Sequence, residues 1–298
     1  LDKLLVASGD CHYVQPGEKM IRDIYTIAKK DDIEDFIHNG DDDFSFSIPQ
    51  VGRFRVNAYR QRNSFAAVLR IVSFLLPDPK IMHIPSIVID LAKQMKGMVL
   101  VSGPAGSGKS TTLACIIDQI NNSRNSHIIT IEDPIEYLHT HKQSIVSQRE
   151  VYHDTKDYVS ALRAALREAP EVILVGEMRD LETIEISVTA AETGHLVFSS
   201  LHTIGAANTI DRMIDVFPAT QQQQIRVQLS MVLNGVVSQQ LLPGKDGKML
   251  PVFEIMLCNQ AIRNLIREGK THQMQNTITA NRASGMIAMD DAIIEAYK

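Results

Sequence analysis

Gly103-Pro104-Ala105-Gly106-Ser107-Gly108-Lys109-Ser110, with Thr111 and Thr112 directly behind it, is the stretch on which the fold turns. It fits the phosphate-loop pattern G-x-x-x-x-G-K-[ST]. Upstream, Met98-Val99-Leu100-Val101 is a short apolar run suited to a buried parallel strand. Downstream, Leu113, Ile116, Ile117 and Ile120 recur at helical spacing. A glycine turn with the same letters but other flanks would carry no such reading. Strand, loop and helix start in this order let backbone N–H groups turn inward around phosphate oxygens, with the positive end of the helix facing the same anion. Lys109 is then expected to reach the β- and γ-phosphates, and the Ser110 hydroxyl to ligate Mg²⁺. The chain is predicted to bind a nucleoside triphosphate.

Beyond residue 88, apolar strands are expected at Met98–Val101, His127–Ile131, Val172–Val175 and Leu196–Ser199. Helices are expected at Lys156–Arg167 and Leu181–Glu192. That alternation predicts a doubly wound, mostly parallel sheet. The tail from Pro218 reads as mostly helical, interrupted by a hairpin whose turn signals are Leu241-Leu242-Pro243-Gly244 and Asp246-Gly247-Lys248, before Leu250–Ile255. Toward the N-terminus, Pro77, Pro79 and Pro85 mark a linker at 77–87 between regions 1–76 and 88–298. The first region reads as a helix over Ile21–Ile37 followed by alternating strands. Phe44, Phe46 and Ile48 share one face; Phe54, Val56 and Ala58 oppose Arg53, Arg55, Asn57 and Tyr59; and Phe65–Val72 carries Arg70. A basic strand face is most often simply solvated. Beside a phosphate-binding region it is also a source of arginines.

At 298 residues the chain can bury two cores. Its 44% hydrophobic and 22% charged content is that of an ordinary soluble protein. A net charge of −5 and a pI near 6.1 argue against a surface that wraps nucleic acid. No apolar run reaches the roughly 18 residues of a membrane span, and no signal peptide heads the chain, so a cytoplasmic location is expected. Cys11, Cys115 and Cys258 are scattered without a C-x-x-C pair, so neither a disulfide framework nor a zinc site is expected. The chain opens on Leu1 rather than a methionine, which leaves room for preceding residues.

Hydrolysis needs more than a phosphate loop: an acid on the metal side, a group to orient or deprotonate water, and positive charge for the transition state. Val172-Ile173-Leu174-Val175-Gly176-Glu177 ends a strand in a carboxylate, and Glu177 is predicted to hold Mg²⁺ through its water shell. Ile131-Glu132-Asp133-Pro134-Ile135-Glu136 ends another strand and crowds three carboxylates at the edge where ligands bind in such sheets. An acidic surface turn is the alternative. His195 and His202 bracket a third strand; each alone is more often structural, yet His202 at the strand end is placed to sense a γ-phosphate.

Taken together, the phosphate loop at 103–110, the acidic box at 131–136, the acid-ended strand at 172–177 and the histidine box at 194–202 resemble the secretion ATPase superfamily, the hexameric motors of type IV pili and type II secretion. The resemblance covers roughly residues 41–298; residues 1–40 match poorly. Ala261-Ile262-Arg263-Asn264-Leu265-Ile266-Arg267-Glu268 is similar to the motif of the pilus-retraction (PilT-type) branch, although a plain amphipathic packing helix, with Arg263 and Arg267 on its polar side, explains the pattern equally well. The absence of a tetracysteine zinc site also resembles that branch.

The resemblance implies an N-terminal PAS-like α+β domain, a C-terminal RecA-like P-loop domain, a homohexamer, and ATP/ADP with Mg²⁺ as ligands. It implies a general base at Glu136, the metal-side acid at Glu177, the histidine-box residue at His202, and phosphate-directed arginines at Arg55 and Arg70. It also implies that Lys109, Ser110 and Thr111 hold phosphates and metal. The implied partners are an inner-membrane pilus platform protein and, indirectly, pilin, with the motor at the inner face of the membrane at the pilus base. No nucleic acid and no zinc are expected. The rival readings are a pilus-extension or type II secretion ATPase, and a nucleic-acid translocase on the same core, which should show a basic channel.

Overall fold

The computed structural model describes residues 6–8, 11–14, 18–28, 33–48, 52–72, 75–244 and 247–297. It divides into one compact unit of residues 1–75 with 136–138, and a second of 76–135 with 139–298.

In the first unit, strands β1 (Val6–Ser8) and β2 (Cys11–Val14) precede helices α1 (Glu18–Ala28) and α2 (Ile33–Asn39). Strands β3 (Asp41–Ile48), β4 (Gly52–Gln61) and β5 (Ser64–Val72) follow. The sheet is antiparallel in the order β1-β2-β5-β4-β3. Register sets Phe44 against Val56 and Ala58 against Ala67. Ile21, Ile24 and Tyr25 of α1 and Phe36 of α2 bury that face. The β4–β5 hairpin turns through Arg62 and Asn63, both at positive φ (47° and 60°), the geometry whose twist matches the flanking strands. Of the helix expected over Ile21–Ile37, the described residues up to Ala28 and from Ile33 onward are helical, in α1 and α2; residues 29–32 lie outside the described residues.

The second unit starts with α3 (Ser86–Ile89), β6 (Gly97–Ser102), α4 (Lys109–Ser123), β7 (His127–Glu132) and β8 (Ile145–Glu150). It continues through α5 (Tyr158–Ala165), β9 (Val172–Val175), α6 (Leu181–Glu192), β10 (Leu196–Leu201), α7 (Ala206–Asp215) and α8 (Ala219–Val232). It ends with β11 (Leu233–Pro243), β12 (Met249–Leu257), α9 (Gln260–Glu268), α10 (Met274–Ala280) and α11 (Met289–Tyr297). The sheet runs β12-β11-β6-β10-β9-β7-β8, parallel except for the antiparallel β12. Its central strands are buried on both faces, which is why they read as continuous apolar runs. Alternate residues of β6 feed two cores. Met98 and Leu100 meet helices α5 to α9, whereas Val99 and Val101 meet α3 and α4. No helix among the described residues is long and apolar enough to cross a membrane.

Two strands depart from expectation. The segment after Pro218 does not stay helical, because Leu233–Pro243 forms β11 beside β6. Ile145–Glu150 forms the edge strand β8, whose polar Ser147, Gln148 and Arg149 hid it among loop residues. The predicted helix 156–167 is shorter, starting after Asp157, whose carboxylate accepts from the Ser160 N–H as an N-cap. Of the predicted hairpin turn, Asp246 lies outside the described residues.

The β7–β8 connection is tied down by Asn121, fully buried on α4. Its side chain donates to the Thr140 carbonyl (2.8 Å) and accepts from the Lys142 N–H (3.1 Å). Lys142 also pairs with Asp118 at 2.6 Å. Within this loop, burial pushes the His139 imidazole down from 6.5 to about 4, against the pull of Asp118, and its Nδ1 is buried without a hydrogen-bond partner among the described residues. Below pH 6.5 the unfolded chain therefore takes up a proton that the folded chain refuses until about pH 4. Folding is expected to lose up to about 3 kcal/mol across that window, with the contribution intact above it. Thermal melts of the unmodified chain between pH 6.5 and 4.5 should fall more steeply than those of His139→Phe; parallel curves would remove His139 as the source.

Candidate nucleotide site

Strand β6 ends at Ser102, and the chain then turns through three glycines at positive φ: Gly103 (145°), Gly106 (73°) and Gly108 (88°). A side chain at Gly103 would place its Cβ 2.1 Å from the backbone carbonyl oxygen of Gln239, so the first glycine is required by close approach as well as by φ. Gly108 sits at the N-cap of α4 with no side chain capping the first turn, so that turn keeps N–H groups for an incoming anion. Lys109, 8% exposed, donates from Nζ to the carbonyls of Gly103 and Pro104, both at 2.9 Å, and so closes the loop on its own ammonium. Ser107 Oγ is buried with no hydrogen-bond partner among the described residues. Pro104 and Ser110 are half-buried, as is Thr111, while Ala105 and Gly106 are exposed at the loop's crest. An uncapped helix start, an orphaned hydroxyl and a buried ammonium form a cradle that fits phosphate.

The neighbouring strand ends lie on the same edge. Strand β10 lies between β6 and β9, with Leu201 opposite Ser102 and Ser199 opposite Val175. The Gly103 N–H donates to Leu201 O (3.2 Å), and Ser200 Oγ donates to Gly176 O (2.6 Å). Two predicted residues meet here. His202 Nε2 lies 3.0 Å from Glu177 Oε2. The other Glu177 oxygen is held by Arg179 Nε at 2.5 Å. A strand-end acid thus has both oxygens engaged by cationic or proton-bearing nitrogens, which fixes its orientation.

Tyr158 of α5 completes this corner: its hydroxyl would lie 3.0 Å from a Cβ at Gly176. Burial, reinforced by Glu177, Asp133 and Glu132, raises its pKa well above the phenol range, so the hydroxyl stays protonated. The three acids of the 131–136 stretch differ in setting. Glu132 accepts from Thr130 Oγ1 (2.7 Å) and Gln148 Nε2 (3.2 Å), as an acid built into the sheet. Asp133 and Glu136 are exposed, and Glu136 belongs with 137 and 138 to the first unit.

Arg55 and Arg70 are directly opposite each other across β4 and β5. Asp43 on β3 accepts from Arg55 at 2.7 and 3.2 Å, a two-point contact that offsets the like-charge juxtaposition. His195, by contrast, contacts the Ala190 carbonyl at the end of α6 through Nδ1 (2.9 Å), which is a structural task. Helix α9 buries Ile262 and Ile266 as its spacing predicts. Its Arg263 is not left on a solvated face: Nη1 donates to the last carbonyls of α8, Ser230 (2.7 Å) and Met231 (2.9 Å). Sequence reasoning missed Arg179, Tyr158 and Gln239. Arg179 stands two residues from Glu177 and could have been suspected; the other two arrive through topology.

Comparison with known proteins adds three kinds of likeness. Residues 84–248 match the family model described as type II/IV secretion system protein. The twitching motility protein of Neisseria gonorrhoeae is 50% identical over 84% of this chain and 67% of its own length. The type IV pilus retraction ATPase PilT of Pseudomonas aeruginosa is 48% identical over 91% of this chain and 78% of its own. Among solved structures, the pilus retraction motor PilT with bound ADP superimposes with a TM-score of 0.82 at 48% identity, covering 92% of this chain and 83% of that one.

Proposed function

This chain belongs to the type II/IV secretion system protein family, and we propose that it is the ATP-hydrolysing motor of type IV pilus retraction, working as a homohexamer. The observation that carries the reading is the single sheet edge at which β6, β10 and β9 end side by side in the phosphate loop, His202 and Glu177. The chain is an ATPase with a RecA-like core. Its choice of retraction over extension is supported by relatives named for retraction and twitching at 48–50% identity.

In this reading Lys109 exchanges its two loop carbonyls for phosphate oxygens, and the first-turn N–H groups of α4 take up the remainder. The Ser110 hydroxyl and the Glu177 carboxylate are hard oxygen donors that suit Mg²⁺. When bound, that ion neutralises charge on the phosphate oxygens. Glu136 orients the attacking water and accepts its proton. His202, fixed against Glu177, carries the state of the site into the start of α7. Arg55 and Arg70 are the proposed further source of positive charge for the nucleotide. The proposed partners are a platform protein of the inner membrane and, through it, pilin, which places the motor on the cytoplasmic face at the pilus base.

Supplying the gene to a host lacking its own retraction motor should restore twitching. The purified chain should hydrolyse ATP with a turnover that rises as sizing reports ring assembly. Turnover stimulated chiefly by DNA would point to a translocase. Hydrolysis without restored twitching would point to an extension or secretion motor.

A further inference from the structure

Strand β11 outruns its neighbour. Its pairing with β6 ends at Ser238 opposite Ser102, where β6 gives way to the phosphate loop, yet β11 continues to Pro243 paired with β12. The first residue past that point is Gln239, 3% exposed. Its Oε1 accepts from Thr112 Oγ1 at 2.7 Å, in the first turns of α4. Its carbonyl oxygen abuts Gly103, and its Nε2 would lie 2.8 Å from a Cβ at Gly108. One buried residue therefore touches the first and last glycines of the loop and the helix that the loop feeds.

The same hairpin holds the other side of the site. Ser238, whose side chain points to the opposite face, accepts from the Gly205 N–H through Oγ (2.9 Å). Glu254, its register partner on β12, accepts from the Ala206 N–H at 2.6 Å. Both N–H groups start α7, close behind His202. Ser238, Gln239 and Glu254 are all buried. Buried polar side chains are costly unless used, and each of these three makes a hydrogen bond to a segment flanking the phosphate site: Gln239 to α4, Ser238 and Glu254 to the start of α7, while the second Glu254 oxygen accepts from the Met289 N–H.

We infer that Gln239 is a positioning residue for nucleotide binding: from a strand outside the phosphate loop, it sets the spacing between the glycine loop and the first turns of α4. The inference rests on the nucleotide-binding reading of the loop. With Gln239 in place, Lys109 and the first-turn N–H groups converge on one point. Without it, the loop and the helix lose their shared buttress, and the convergence is lost while the sheet persists.

The test is ADP affinity, measured with a fluorescent ADP analogue, together with KM and kcat for ATP. Gln239→Met, similar in length but without the acceptor, should raise Kd and KM roughly tenfold with a smaller change in kcat. Thr112→Val should do the same, and the double variant should be no worse than either single one, because both remove one contact. Thr112→Ser, which keeps the hydroxyl, should bind ADP as the unmodified chain does. This pair of Thr112 variants decides the matter if Gln239→Met fails to fold. A merely structural role would lower the melting temperature and leave Kd well below it unchanged. Unchanged affinity in Gln239→Met and Thr112→Val, or fully additive effects, would overturn the inference. Absence of ADP binding by the unmodified chain would instead overturn the nucleotide reading beneath it.

Discussion

Replacing Lys109 by alanine should lower kcat/KM for ATP by about a thousandfold or more, close to 4 kcal/mol of lost transition-state stabilisation, with the fold retained. The size follows from where the ammonium sits. Lys109 is buried to 8% exposure beneath the glycine loop, at the start of the helix whose N–H groups face the same point. A charge in that setting acts through a lower effective dielectric than one in water, and it is already in place when charge develops on the transferring phosphoryl group. The Gly103 and Pro104 carbonyls, which accept from it, show that the ammonium is held inside the loop. Removing it frees both carbonyls but also relieves the cost of a buried cation, so the change in folding stability should stay near 1 kcal/mol in either direction. The decisive comparison is a melting curve beside ADP titration and steady-state turnover. Lys109→Ala that melts normally yet hydrolyses ATP within tenfold of the unmodified chain would remove this residue from the phosphate site.

The phosphate loop was legible in the sequence because its turn is dictated locally. Gly103, Gly106 and Gly108 stand at positive φ, and Lys109 must follow directly, so spacing alone carries the geometry. The buried strands were legible for the same kind of reason. A parallel strand covered on both faces has nowhere to put a polar side chain, and β9 reads Val-Ile-Leu-Val. Strand β11 was not legible. It carries Asn234, Ser238, Gln239 and Gln240, directly after a helix, and a local reading sees only a polar continuation of that helix. Ser238 and Gln239 make sense once β6 and β12 stand on either side and α4, behind the phosphate loop, and the start of α7 supply their partners. The meeting of His202 with Glu177 was hidden similarly, since twenty-five residues separate them in sequence and adjacent parallel strands bring them to 3.0 Å. Pattern reading finds what one element needs; it does not find what a neighbouring element will lend.

The second large effect is expected at Glu136. Glutamine there should reduce turnover by about 10²- to 10⁴-fold, the usual share of a general base, while ADP affinity, assembly and melting temperature stay as they are. Glutamine keeps the length and the accepting oxygen of glutamate but cannot take up a proton from water, so chemistry and not binding should fail. The surrounding acids supply the control. Glu132 is committed to Thr130 and Gln148 at the end of β7, so Glu132→Gln should act on stability, trading a charge-assisted contact for a neutral one worth about 1 kcal/mol less. Glu177 is committed to His202 and Arg179, which suits an acid that must hold its orientation rather than move a proton. Glu136 is exposed and lies beyond the end of β7, the position from which a base would have to reach a bound water. Single-turnover hydrolysis on all three glutamine variants separates these roles. If Glu136→Gln turns over normally while Glu132→Gln is dead, the base lies in the sheet, and the assignment must move there.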